Sequence, residues 1–186
     1  MKQVCFIFVT CLFTFLAGCD SSKKHDSNTR VEEKNEKNFE GKAEIKEANF
    51  VADAIEEKYA EIKLAELASI KSSNKEIQDF AQQLVNDHTK ALQMLHALAN
   101  RKGITVPAEE GEKAKEKIND LSKQEDPDFD KKWRDELIAR HDKTIREFEA
   151  MYDKSDDAEL REIISQTLMD LRAQLEKINA LEHNIK

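Results

Sequence analysis

The chain has 186 residues with a net charge of −8, and 37% of them are charged while Gly and Pro together fill only six positions. That length suits one substantial core plus extras, and that composition favours long helices. An acidic chain with no basic stripe excludes nucleic acid as a natural partner.

The first segment reads as an export signal. Lys2 precedes a nearly unbroken apolar run from Val4 to Leu16, too short to span a membrane comfortably. The run ends in Leu16-Ala17-Gly18-Cys19, which resembles the lipobox of bacterial lipoproteins. The resemblance implies cleavage after residue 18, acylation of Cys19, and a mature protein anchored through lipid in the cell envelope, with its domain outside the cytoplasm. An ordinary cleavable signal containing a cysteine is the alternative. Cys5 and Cys11 fall inside the signal, so Cys19 is left with no partner for an intrachain disulfide.

Residues 19–47 read as a lipidated cysteine and a disordered tether. From Asp20 to Glu47 the sizeable apolar groups are Val31, Phe39 and Ile45, too few to offset the entropy of ordering. A flexible chain of this length spans roughly 30 Å. His25 reads as a solvated tether histidine.

The folded domain is expected over residues 48–186. Helix A runs from Phe50 to about Lys71 on a stripe of Val51, Ala54, Ile55, Ile62, Ala65 and Ala68. Ser73 and Glu76 read as a capping box opening helix B, whose stripe holds Ile77, Phe80, Leu84, Leu92, Leu95 and Leu98 and which ends at Gly103. A polar connector of about 25 residues follows, with a short helical pattern from Glu109 to Leu121. Asp126-Pro127 reads as the start of helix C, with Phe129, Trp133, Leu137, Ile145, Phe148 and Met151 on one face. Asp156 and Glu159 read as the capping pair of helix D, which carries Leu160, Ile163, Ile164, Leu168, Leu171, Leu175, Ile178 and Leu181.

Four amphipathic helices with two short turns and one long connector predict an all-α, four-helix bundle. The connector can retrace helix B, about 40 Å at 1.5 Å per residue, giving an up-down-down-up order. A plain up-down-up-down order needs no such connector and stays open.

Several stretches resemble the family catalogued as domain of unknown function 4142. They are Phe50-Val51, Ala60-Glu61-Ile62 and Leu67-Ala68 in helix A, and Phe80-Ala81, Asp87-His88-Thr89-Lys90, Leu95, Leu98-Ala99 and Gly103-Ile104 in and after helix B. Phe129-Asp130 and His141 match in helix C, and Leu171-Arg172 with Leu175 in helix D. The resemblance implies a ferritin-like fold and an envelope location, and no activity, because the family's own is uncharacterised. It departs at Gln174, where the family commonly has a histidine.

Each helix places one polar residue on or beside its apolar stripe: Glu61, His88, His141 and Gln174. In an up-down-down-up bundle the four share one layer. Two imidazoles and a carboxylate are donors for copper, zinc or iron, although Gln174 is a poor ligand. The same residues also make a buried hydrogen-bonded layer that fixes helix register. A di-iron oxidase centre is excluded, since it needs Glu-x-x-His motifs and Val85 and Ile138 stand three residues before the two histidines. His96 and His183 read as surface residues. No phosphate loop, nucleophile elbow or Cys-x-x-Cys occurs, so no firm cofactor and no catalytic residue is expected. The expectation is a non-catalytic binding or structural module whose protein or small-ligand partner the residues do not name. The alternative is a metal-binding or degenerate redox ferritin-like protein.

Overall fold

The computed structural model describes residues 27–181 and is all-helical there, with six helices and no strand among the described residues. They are α1 (Ser27–Asn38), α2 (Lys42–Lys71), α3 (Lys75–Lys102), α4 (Glu112–Ser122), α5 (Asp128–Tyr152) and α6 (Ala158–Ala180). The expected signal peptide, Cys19, His25 and His183 lie outside the described residues. No helix among the described residues is long and apolar enough to cross a membrane.

The segment expected as a disordered tether departs from that expectation between residues 27 and 47. It forms α1 and the first turns of α2, so helix A starts at Lys42 rather than Phe50, and the ordered fold starts well before residue 48. Apolar periodicity missed it because polar contacts hold much of it. Asn35 is fully buried; its Oδ1 accepts from the Thr105 backbone N–H (2.8 Å) and its Nδ2 donates to the Thr105 carbonyl (3.0 Å). Val31, one turn earlier, supplies the buried apolar contact of α1.

Three N-caps stand one residue after the expected ones. Asn74, not Ser73, caps α3, its side chain accepting from the Glu76 N–H (2.9 Å). Gly103 closes α3 in the left-handed conformation (φ 68°), which an L side chain adopts only under strain. Asp126 does not cap α5, which begins at Asp128; its carboxylate accepts from the Ser73 N–H (3.1 Å) and so ties the start of α5 to the α2–α3 turn. Asp157, not Asp156, caps α6 through the Leu160 N–H (2.9 Å).

The long helices pair in opposite directions. Along α2 and α5, Phe50 meets Phe148 edge-on (centroids 4.9 Å apart), Glu57 pairs with Arg140, and Trp133 Nε1 donates to the Leu64 carbonyl (3.0 Å). One sequence rises as the other falls, so these helices are antiparallel. Arg101 with Glu159 and Gln83 with Lys177 give the same relation for α3 and α6.

The interior consists of two apolar halves. One gathers Leu64, Ala68, Ile77, Leu84, Trp133, Leu137 and Ile178; the other gathers Val51, Ile55, Leu95, Leu98, Phe148, Leu160 and Ile164. Burying each large side chain stabilises the fold by about 1.5–3 kcal/mol. Between the halves α2, α3 and α5 carry the polar residues Lys58, Glu61, His88, His141 and Thr144, all of them buried. A polar layer therefore cuts across the core.

Candidate functional site: a buried polar layer

Each side chain of the layer sits inside because helical spacing leaves it no other place. His88 falls four residues after Leu84 and His141 four after Leu137, both fully buried anchors, so the imidazoles inherit the inward direction. Gln174 is three after Leu171 and four before Ile178, and Glu61 lies between Ala54 and Ala68, seven residues from each. The structure brings all four together from α2, α3, α5 and α6, with Glu61 and His141 fully buried and His88 and Gln174 nearly so.

The geometry centres on Glu61. His88 Nδ1 lies 3.4 Å from Glu61 Oε2, and His141 Nδ1 lies 3.7 Å from Glu61 Oε1. The two imidazoles meet edge to face, with centroids 5.9 Å apart and planes at 60°. His141 Nδ1 donates to the Leu137 carbonyl one turn back (3.0 Å), and its Nε2 faces the Gln174 side-chain amide at 3.2 Å. Both ring nitrogens of His141 are therefore engaged.

Sequence reasoning missed one member. Lys58 is fully buried, and its Nζ donates to Glu61 Oε2 from one turn earlier on α2. The signal was present: Lys58 lies four after Ala54 and three after Ile55, squarely on the inward stripe. A lysine in so charged a chain reads as surface by residue type alone. His96 also differs from expectation, being half-buried with Nε2 3.0 Å from the Tyr59 hydroxyl.

The electrostatics follow from this packing. Burial alone would raise the Glu61 carboxyl, but His88, the Lys58 ammonium and His141 together hold it well below the usual carboxylate range. Burial pulls His88 down to about 3, against the opposing attraction of Glu61. At neutral pH the His88 ring is thus uncharged, and Lys58 is the cation opposite the Glu61 carboxylate. Glu61 Oε1, His88 Nε2 and Thr144 Oγ1 are buried without a hydrogen-bond partner.

One ligand-type atom from each of Glu61, His88 and His141 lies within 4.8 Å of the others. Around a tetrahedral transition-metal ion such atoms stand about 3.4 Å apart, so these donors would have to close in. The donor types fit a metal, but the occupancy does not: an ammonium holds one carboxylate oxygen, and the carbonyl and the amide hold the His141 ring.

On the outside of α2 and α5 a cleft of about 690 Å³ has Phe50, Ala54, Phe148 and Met151 among its apolar lining and also touches Glu57 and Thr144. Thr144 lies one turn beyond His141. Beside it Arg140 joins Glu57 (2.8 Å) and Glu136 (2.9 Å), an ion-pair network on the flank of the layer.

Comparison with known proteins agrees with this architecture. A crystal structure of a DUF305 fragment from Deinococcus radiodurans is similar in fold, with a TM-score of 0.64 and 16% sequence identity over 73% of this chain and 93% of that one. No curated protein is significantly similar to the chain. The family model for a domain of unknown function, DUF4142, matches residues 32–181, which takes in α2 to α6, the greater part of α1 and every member of the polar layer. The chain belongs to the DUF4142 family.

Proposed function

We propose that the protein is a non-catalytic, ferritin-like four-helix module of the bacterial cell envelope, in which the polar layer fixes the register of the helices. On this reading α2, α3, α5 and α6 form one bundle in up-down-down-up order, and the stretch from Gly103 to Pro127, with α4 inside it, is the long connector. The antiparallel contacts of α2 with α5 and of α3 with α6 support that order.

The observation that carries the reading is the Lys58 ammonium on Glu61. A ferritin-like metal centre needs its carboxylates free for metal, whereas here the resident cation is a side chain. A buried charge pair with directional partners specifies one alignment of the helices, since a shift along any helix would strand a charge in apolar surroundings. The test is thermal unfolding of the metal-depleted chain with and without zinc or copper. A closed layer predicts midpoints that metal barely moves. A ligand bound at a hundredfold excess over its dissociation constant would add about 2.7 kcal/mol.

A second reading, a transition-metal site, has its own support in the unpartnered Glu61 Oε1 and His88 Nε2 and in the 4.8 Å grouping with His141. It predicts a large metal-dependent rise that His88→Ala and His141→Ala both abolish.

Envelope location rests on the lipobox-like Leu16-Ala17-Gly18-Cys19. Cys19→Ser should leave the chain unacylated and released from the membrane fraction. A variant that sediments with membranes as wild type does refutes the anchor.

A further inference from the structure

We infer that Lys58 is the residue that excludes transition metals from the Glu61, His88 and His141 cluster, and that a chain without its ammonium takes up a divalent ion there. This rests on the closed-layer reading above and goes beyond it, because it assigns the closure to one side chain and names a latent metal site beneath it.

Three observations converge. Lys58 and Glu61 occupy successive turns of one helix face, so the ammonium is delivered to Glu61 Oε2 by the backbone itself. The remaining donors already stand within 4.8 Å of one another and are buried, which leaves them little freedom to disperse when the ammonium goes. His88 brings an unpartnered Nε2 and Glu61 an unpartnered Oε1, the kind of lone pairs a cation would engage. With Lys58 in place a divalent ion would add its charge to an ammonium already bound to the same carboxylate. With an uncharged side chain there, the Glu61 carboxylate and the His88 imidazole face the ion directly, and His141 joins them by giving up its contact with the Gln174 amide, a donor set suited to cobalt, zinc or copper. The cleft between α2 and α5 reaches Thr144, one turn beyond His141.

The experiment compares wild type, Lys58→Met and Lys58→Met/His88→Ala, each metal-depleted and then dialysed against cobalt(II), with bound metal and the visible ligand-field absorption as readouts. The expected result is a metal-free wild type, about one cobalt per Lys58→Met chain with a nitrogen-and-oxygen-donor spectrum, and loss of both in the double variant. If Lys58→Met unfolds alone, it is refolded with cobalt(II), and recovery of helical circular dichroism only with the metal supports the site. A Lys58→Met chain that stays metal-free or unfolded in cobalt overturns the inference while leaving the closed layer standing. Binding that survives in the double variant also overturns it. Stoichiometric cobalt in wild type overturns the closed-layer reading itself.

Discussion

Helix α2 carries the same ion pair twice. Lys58 and Glu61 lie three residues apart, and so do Lys63 and Glu66, but the first pair is 1% and 0% exposed and the second 50% and 45%. The five-residue offset between them turns the helix by about 140°, from the core to solvent. In water the Lys63–Glu66 pair gains little, because solvent screens it and holding two long side chains costs entropy. In the core each charge of the Lys58–Glu61 pair has lost its hydration and depends on the other. Identical chemistry is thus screened on one face and mutually dependent on the other.

The sharpest way to break that comparison is to remove each lysine in turn. Lys58→Met strands the Glu61 carboxylate and should cost about 3–5 kcal/mol, whereas Lys63→Ala should cost at most about 1 kcal/mol. Urea unfolding monitored by circular dichroism measures both. Replacing the whole buried pair, Lys58→Met with Glu61→Leu, should recover much of the loss, since a packed apolar pair avoids the desolvation penalty. Similar losses for the two single variants would mean that burial does not decide the role of the pair.

A second contrast uses pH. His88 is held down to about 3 by burial, against a reference value of 6.5. Below 6.5 the unfolded chain binds a proton at His88 that the native chain does not, so this contribution is complete above 6.5 and falls as pH drops toward 3. Between pH 8 and pH 5 the loss should be about 2 kcal/mol. His88→Leu should flatten that slope, while Lys63→Ala should leave it unchanged. A wild-type stability that is level from pH 8 to pH 5 would contradict a buried, uncharged His88.

Helical spacing makes most of this layer legible in the sequence. His88, His141 and Gln174 stand where an apolar stripe demands a hydrophobe, and nothing else in their segments fits the face. Lys58 is not legible in the same way, because its residue type matches the many solvated lysines around it. Only its register, shared with Ala54 and Ile55, marks it as inward. The α1 region is hidden for a different reason. Its hold on the body is a side chain reading the backbone of Thr105, about 70 residues away in sequence, and no periodicity encodes such a contact. Cap positions slip by one residue where two capping types stand side by side, as at Ser73-Asn74 and Asp156-Asp157, since either could take the position.

The α1 clasp offers a milder version of the central contrast, a buried polar contact without charge. Asn35→Ala removes the partner of the Thr105 N–H and carbonyl and of Asn49 Oδ1 (3.3 Å). The cost should be about 1–2 kcal/mol, less than for Lys58 because no ion is stranded. The loss should be local: amide exchange should accelerate across α1 and leave the α2–α3 and α5–α6 pairs protected. Acceleration spread evenly over all six helices would show that α1 unfolds only with the rest of the fold.

The smallest effect comes from the adjacent aspartates before α6, where the question of position against residue type returns at a helix end. Asp157 accepts from the Leu160 N–H (2.9 Å) and pairs with Lys102 at the end of α3. Asp156 is exposed and makes neither contact. Burial tends to raise the Asp157 carboxyl, yet Lys102 and the Leu160 N–H together hold it below its ordinary value. Asp157→Ala should therefore cost about 1 kcal/mol for the cap, while Asp156→Ala should stay within about 0.5 kcal/mol of wild type. Acid should narrow the gap, because protonating Asp157 weakens both of its contacts. If the two alanine variants unfold at the same urea concentration, the cap at Asp157 contributes nothing measurable, and helix ends in this fold follow packing alone.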